Sequence, residues 1–105
     1  MKVKQLLSTK SKWTKLACAR DKKNMECPVN DPSAVKYCLE GAIIKCYQTG
    51  EERNRVENLI RRALRMSEVE FSMFKPIYDG RITYWNDAPK RTFKDIKKLI
   101  SKLNI

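Results

Sequence analysis

The chain has 105 residues, of which 23 are Lys or Arg and 12 are Asp or Glu, so its formal net charge is +11. With 42% apolar residues it has enough hydrophobic side chains for one modest core, and its length predicts a single domain over residues 1–105. It contains no histidine. This excludes a Ser-His-Asp triad, a Cys-His pair and every His-containing zinc site within the chain.

The apolar residues are distributed so that no segment resembles a membrane span of about 20 residues or the apolar core of a secretory signal. We therefore expect a cytoplasmic protein with no membrane partner. In a reducing compartment its four cysteines carry thiols, and a Cys18–Cys27 disulfide across a hairpin is disfavoured although its geometry is possible. The four cysteines are Cys18, Cys27, Cys38 and Cys46. Their spacing lacks zinc knuckles, so we predict no metal and no cofactor.

The N-terminal third of the chain predicts two small elements. Residues 3–9 favour a short helix that is too short to be stable alone, and Trp13 is expected to dock it to the core. Residues 14–28 predict a β-hairpin whose arms are residues 16–19 and 25–28. Its turn lies at residues 21–24, where Asp and Asn suit turn geometry.

The strongest predicted helix spans about residues 32–48 and is expected to be central. Asp31 supplies a cap and Pro32 occupies the first turn. Apolar residues then recur at helical spacing and define one buried stripe: Val35, Cys38, Leu39, Ala42, Ile43 and Cys46. Gly41 inside this helix indicates that another segment approaches its backbone closely. Thr49 and Gly50 are expected to end it.

Two more helices are predicted towards the C-terminus, separated by irregular chain. One runs over residues 51–66, and its inner face is Val56, Leu59, Ile60 and Ala63. Residues 68–84 are expected to be irregular or extended, with a short strand at 81–85 and a turn at 86–89. A capping box formed by Thr92 and Asp95 opens the last helix. Its inward residues are Ile96, Leu99, Ile100 and Leu103. The predicted fold is α+β and mainly helical, with three to four helices around the central helix and a small N-terminal β-hairpin.

The positive charge is concentrated at the two ends of the chain. Residues 1–23 carry a net charge of +7 and residues 75–105 carry +5, whereas residues 24–50 carry −1 and residues 51–74 carry none. If the first and last helices meet, these ends form one positive face that attracts polyanions. The candidate binding residues are Lys2, Lys4, Arg61, Arg62, Arg65, Arg91, Lys94, Lys98 and Lys102. A solvated face with no binding role is the alternative interpretation.

A possible polar pocket is indicated by Trp85, Asn86 and Asp87 together with Arg91. In such a pocket the indole offers a stacking face, the amide and carboxylate offer hydrogen bonds, and the guanidinium offers a fork for phosphate. Arg20 is a further candidate member that reaches it across the fold. The simpler interpretation is a structural turn in which Trp85 fills the core and Asp87 pairs with Arg91.

Several short motifs resemble a family of small uncharacterised proteins of tailed phages and of bacteria, many of them actinobacterial. They are Trp13 with Ala-Arg-Asp at 19–21, Cys-Leu-Glu-Gly-Ala at 38–42, Ile82 with Trp-Asn-Asp at 85–87, and Arg-Thr at 91–92. The resemblance spans about residues 13–103, and Lys90 replaces a frequent glycine. It implies a compact helical domain in a phage context and gives no catalytic residue.

Two classes of function follow, and neither is enzymatic: no catalytic residue is predicted. The resemblance favours a phage-type accessory protein that inhibits or modulates a host protein or nucleoprotein complex, such as a defence nuclease, in the host cytoplasm. The charge favours the alternative, direct binding of nucleic acid through the basic face. The sequence leaves the oligomeric state open.

Overall fold

The computed structural model describes residues 1–65 and the chain from Gly80 onward. The described part contains five α-helices and one two-stranded antiparallel sheet, which confirms the predicted α+β, mainly helical class. In chain order the elements are α1 (Val3–Leu6), a 3-10 turn (Lys10–Lys12), β1 (Ala19–Arg20), β2 (Lys36–Tyr37), α2 (Leu39–Cys46), α3 (Gly50–Ala63), α4 (Gly80–Asp87) and α5 (Phe93–Leu103). None of the described helices has both the length and the apolar content to cross a bilayer.

Helix α2 is the centre of the fold, as predicted, and packs against α1, α3 and α4. Leu39, Ala42 and Ile43 are fully buried on its predicted stripe. The opposite face is buried as well, because Glu40 and Ile44 are also almost inaccessible to solvent. A helix that is covered on every side needs neighbours on every side, and the short elements of this chain supply them.

The predicted start of this central helix at residue 32 is wrong, because the helix begins at Leu39. Residues 36–37 are paired in β2 instead, and the Cys38 sulfur accepts the Gly41 backbone N–H at 3.2 Å as the N-cap. Asp31 closes only a local turn, accepting the Ser33 backbone N–H at 2.8 Å. Val35 therefore lies before the helix and is 45% exposed, not part of the stripe. Cys46 is half-buried.

The predicted antiparallel element is present, but its second strand lies further along the chain. The turn forms as predicted, with the Asp21 carboxylate accepting the backbone N–H groups of Lys23 and Met25. An isolated bridge joins Arg20 to Glu26, while the sheet itself pairs β1 with β2. Strand β1 thus uses both of its edges.

Gly41 marks the close approach that the sequence predicts. A Cβ atom placed there would lie 2.0 Å from the backbone carbonyl oxygen of Cys18. Real Cβ atoms do not come that close to an oxygen. The backbone at Cys18, directly before β1, can therefore touch α2 only because residue 41 has no side chain.

Helix α3 confirms the predicted third helix, but it changes the role of the residues before it. The Thr49 hydroxyl accepts the Glu52 backbone N–H at 3.1 Å, and Gly50 is the first residue of α3. Both residues therefore begin α3, whereas α2 ends at Cys46. On the predicted inner face Val56 and Ile60 are buried; Leu59 and Ala63 are half-buried.

Helix α4 replaces the strand predicted at 81–85 and the first half of the turn predicted at 86–89. The run from 81 to 85 is rich in β-branched and aromatic residues, which favours a strand locally. Burial follows the helical period instead, since Ile82 and Asn86, four positions apart, are both fully buried. The predicted irregular segment at 68–79 lies outside the described residues.

Helix α5 has the boundaries and inner face that the sequence predicts. Thr92 and Asp95 form a reciprocal capping box, with hydrogen bonds of 3.3 Å and 3.0 Å. The backbone hydrogen bond from Thr92 holds the pKa of the Asp95 carboxyl below its ordinary value. On the inner face Ile96, Leu99 and Ile100 are buried, and Leu103 is half-buried.

The first and last helices meet, which was the condition for a shared basic face. Helix α1 packs against α5, and the Lys4 backbone N–H donates to the Ile105 carbonyl at 3.0 Å. The side chains of Lys2 and Lys4 therefore lie beside the C-terminal end of α5.

Candidate polyanion-binding groove

A groove of about 610 Å³ lies beside the start of α5. We call it the basic groove. Five of its eight lining residues are Lys or Arg, two are aromatic, and none is acidic. They are Lys10, Trp13, Lys15, Arg91, Thr92, Phe93, Lys94 and Lys97. A concave surface that combines several cations with aromatic rings has the composition of a site for a phosphate-bearing, ring-containing ligand.

Two segments far apart in sequence build the basic groove. The 3-10 turn and the chain that follows it supply Lys10, Trp13 and Lys15, and the start of α5 supplies the rest. The rings of Trp13 and Phe93 are 6.2 Å apart between centroids and tilted by 43°, an ordinary aromatic packing arrangement. Each ring is only half-buried.

Asn86 holds the first of these segments in place. Its Oδ1 accepts the indole N–H of Trp13 at 2.8 Å and the backbone N–H of Leu39 at 3.0 Å. Its Nδ2 donates to the Thr14 carbonyl at 3.2 Å and to Asp87 Oδ1 at 2.9 Å. The side chain is fully buried, and its hydrogen bond with the Leu39 backbone N–H is buried as well. The described hydrogen bonds of Asn86 thus connect α4 to Trp13, Thr14 and Leu39.

The described hydrogen bonds of Asp87 and Arg20, two other members of the predicted polar pocket, are also made within the fold. Asp87 Oδ1 accepts the backbone N–H of Leu16 at 3.0 Å, which fixes a residue whose φ is +65°. Arg20 donates to Thr14 Oγ1 at 3.0 Å and to the Lys15 carbonyl at 3.2 Å. None of its described contacts reaches residues 85–87, so Arg20 supports the loop behind the basic groove.

Trp85 and Arg91 form a stacked pair at the edge of the basic groove. The guanidinium carbon lies 3.9 Å from the indole centroid, and Arg91 Nε donates to the Trp85 carbonyl at 2.9 Å. The acidic partner of Arg91 is Asp95, at 3.9 Å between Nη1 and Oδ2, where the sequence interpretation suggested Asp87. These contacts fix the orientation of a half-buried cation that still lines the basic groove.

The three lysines of α5 among the candidate binding residues line two different concave surfaces. Lys94 lines the basic groove, whereas Lys98 and Lys102 line a second depression of about 310 Å³ together with Arg91. That depression also contains Asp95, so it is less purely cationic. Arg91 borders both surfaces, and the basic residues form one series along α5, which is about 16 Å long.

Lys2 and Lys4 extend this series at the far end of α5. Both ammonium groups donate to Asn104 Oδ1, the one from Lys2 at 3.3 Å. Both residues are exposed. The structure thus brings together the predicted cations of α1 and α5.

The three candidate arginines of α3 and the residues after it do not share one surface. Arg61 is only 1% exposed, and its Nη1 donates to Asn58 Oδ1 at 2.6 Å. Burial lowers the pKa of its guanidinium, and the nearby carboxylates of Glu57 and Glu40 act in the opposite direction. Arg61 is therefore part of a buried charge cluster and is unavailable to a polyanion. Arg62 and Arg65 are exposed near the end of α3 and line neither concave surface.

Sequence reasoning missed most of the basic groove. Lys10, Trp13, Lys15, Phe93 and Lys97 were not among the predicted binding residues. Lys97 could have been predicted, because it lies three positions after Lys94 and residues at that spacing share a helix face. The others depend on a contact between segments about 80 positions apart, for which the sequence holds no local signal.

The cysteines are all free thiols, and within residues 1–65 and 80–105 no three acidic or cysteine side chains are grouped to hold a metal ion. Cys18 is half-buried and Cys38 is fully buried beside it.

Comparison with known proteins returns one result. No curated protein matches the chain, and no solved structure does. A family model described as a family of unknown function, DUF6197, matches residues 1–103. The chain therefore belongs to the DUF6197 family, whose function is unknown.

Proposed function

We propose that this protein is a non-enzymatic binding module that takes single-stranded nucleic acid into the basic groove. The observation that carries the proposal is the lining of that groove, with five cations, two aromatic rings and no carboxylate. Proteins that bind single strands combine a cationic track for the phosphates with aromatic faces for the bases. A base paired within a duplex offers no free face to such a ring.

The cations of the groove are available for phosphate contacts. Lys10, Lys94 and Lys97 are exposed, and in the described part of the chain no carboxylate lies within ion-pair distance of them. Lys15 and Arg91 are held by carbonyl groups, at 2.7 Å from the Ala88 oxygen and 2.9 Å from the Trp85 oxygen. Two anchored cations and three exposed ones suit a flexible, repeating anion better than one small ligand.

Further cations continue beyond the basic groove along the route that a bound nucleic-acid strand would take. Arg91 leads into the second depression with Lys98 and Lys102, and Lys2 and Lys4 lie at the end of α5. Contact with several phosphates releases several counterions, so the affinity should fall steeply as salt is raised.

A second candidate follows from the phage-like resemblance, namely binding to a host protein or nucleoprotein complex that the protein inhibits or modulates. One observation favours a protein contact. Met25 and Val35 are 63% and 45% exposed, and Val35 borders a depression of about 400 Å³ with Lys22, Lys23 and Pro32. Exposed apolar side chains beside a concave surface are typical of protein-binding sites. This surface is separate from the basic groove.

The test compares two double charge reversals in an anisotropy titration with a labelled single-stranded oligonucleotide. Lys94→Glu with Lys97→Glu changes the basic groove. Lys22→Glu with Lys23→Glu makes the same change in net charge on the other surface. If the proposal is right, the first variant loses at least tenfold more affinity than the second, with thermal unfolding unchanged in both. Equal losses would mean that only net charge matters and would contradict a site in the groove.

The aromatic contribution is tested separately with Phe93→Ala. Stacking of one base on a ring is worth roughly 1–3 kcal/mol, so affinity for the oligonucleotide should fall about 5- to 150-fold. Affinity for inorganic polyphosphate, which has no bases, should stay the same. Equal loss for both ligands would show that Phe93 supports the groove without contacting a base.

A further inference from the structure

Cys18 and Cys38 lie opposite each other across the sheet. The register pairs Ala19 with Tyr37 and Arg20 with Lys36, so the next facing pair is Cys18 and Cys38. The Cys38 backbone N–H donates to the Cys18 carbonyl at 3.1 Å. Residues that face each other in an antiparallel pair have Cα atoms about 4.5–5.5 Å apart, which is within the range that disulfides bridge.

The two thiols have different environments. Cys38 is fully buried, and its sulfur accepts the Gly41 backbone N–H at the start of α2. Cys18 is half-buried and has a solvent-accessible part. The side chains are hydrogen-bonded to each other, which lowers the pKa of Cys18 to about 7. The same hydrogen bond, together with burial, raises the pKa of Cys38. Cys18 is therefore the less buried of the two residues and has the lower thiol pKa, which favours it as the nucleophile of the pair.

Cys27 and Cys46 are not placed to pair with Cys18 or Cys38. The Cys27 backbone N–H donates to the Ala19 carbonyl at 3.1 Å, and Glu26 bridges Arg20, so Cys27 faces Ala19 and not Cys18. Side chains of neighbouring strand residues point to opposite faces. Cys46 ends α2, eight residues from Cys38 and about 12 Å along the helix.

We propose that Cys18 and Cys38 are a redox pair that a hydroperoxide converts reversibly into an intramolecular disulfide. The Cys18 thiolate attacks one peroxide oxygen, the O–O bond breaks, and Cys18 sulfenic acid and hydroxide form. The Cys38 sulfur then attacks the Cys18 sulfur, the S–O bond breaks, and the Cys38 proton leaves with the hydroxyl group as water. The two sulfurs give up two electrons and the peroxide is reduced, so the step balances. A dithiol reductant reverses it.

The disulfide is placed to act on the support of the basic groove. It joins the residue directly before β1 to the N-cap of α2, directly before Leu39, whose N–H is bound by Asn86 at 3.0 Å. The same Asn86 oxygen holds Trp13. The proposal of a redox pair does not depend on the proposed nucleic-acid binding, because disulfide formation is measured at the cysteines alone.

Peptide mapping tests the proposal on the full chain. The protein is treated with hydrogen peroxide, its remaining thiols are alkylated, and it is digested with trypsin without reduction. Because Lys or Arg flanks each site, the four cysteines fall on four different peptides. The expected product joins residues 16–20 to residues 37–45, is two hydrogen atoms lighter than the two peptides together, and disappears on reduction. Linkage of any other pair, or irreversible oxidation of Cys18 with no linkage, would overturn the proposal.

Two variants sharpen the result. Cys38→Ser should leave Cys18 as a sulfenic acid that a dimedone probe traps, since neither Cys27 nor Cys46 faces Cys18 to resolve it. Cys46→Ser is the matched control and should form the same linked peptides as the parent. Should Cys38→Ser fail to fold, mapping of the parent and of Cys46→Ser still decides the question. Trapping of Cys18 sulfenic acid to the same extent in the parent would contradict a resolving role for Cys38.

Discussion

Single buried polar side chains determine how this small protein positions its surface. Asn86 makes four hydrogen bonds from a fully buried amide and connects α4 to Trp13, Thr14 and α2. Arg61 occupies the core of α3 beside Glu57 and Glu40. From sequence both were read as surface or pocket residues, because polar side chains are usually exposed. Their burial depends on partners from other elements.

Replacing Asn86 with Ala should strongly destabilise the protein. The change leaves the Trp13 indole N–H and the Leu39 backbone N–H without their acceptor, and each buried unsatisfied group costs about 1–3 kcal/mol. We expect a loss of roughly 2–5 kcal/mol in the free energy of unfolding, measured by urea denaturation. Asn30→Ala, at an exposed position, is the control and should change it by less than about 0.5 kcal/mol. A small effect at Asn86 would show that water replaces its amide.

Replacing Arg61 with Ala should destabilise the fold by roughly 3–5 kcal/mol, because removal of one partner leaves buried charges uncompensated. Arg55 is exposed on the same helix, and Arg55→Ala should cost less than about 0.5 kcal/mol. Chemical denaturation of both variants measures the difference. Similar values for the two would mean that Arg61 makes no net contribution in the core.

At the scale of the elements, α5 was fully predictable and α2 only in part. The capping box and apolar stripe of α5 are local patterns, and the structure follows them from residue 92 onward. The start of α2 is set by the pairing of β2 with β1 and by the sulfur cap at Cys38. No local pattern encodes strand partners that are 16 and 18 positions apart. Helix α4 was misread because its residues favour strands, and tertiary burial overrides that preference.

The capping box of α5 should contribute measurably to the free energy of unfolding. Thr92→Ala removes the acceptor for the Asp95 backbone N–H and should cost about 0.5–2 kcal/mol. Thr9 precedes the 3-10 turn without a side-chain cap, so Thr9→Ala is the matched control and should cost less than about 0.5 kcal/mol. Thermal unfolding of both variants measures the difference. Equal shifts in Tm would show that the Thr92 cap is not formed in solution.

At the scale of the whole molecule, the chain ends meet and place their cations along α5. The charge distribution in the sequence predicted this face, and Lys2, Lys4, Lys94, Lys98 and Lys102 are all found on or beside α5. The basic groove itself was not predictable. Its two aromatic rings, Trp13 and Phe93, come from distant segments that meet only in the fold, where a hydrogen bond to Asn86 holds the Trp13 indole.

The central claim, that a single strand binds through the lysines of the basic groove, is tested most directly by the salt dependence of binding. For a single strand, the slope of log Kobs against log salt changes by about 0.7 for each phosphate contact. Lys94→Gln with Lys97→Gln should therefore make the slope less negative by about 1.4, while Lys22→Gln with Lys23→Gln should leave it unchanged. A slope that is the same for the parent and for the Lys94, Lys97 variant would contradict binding in the groove.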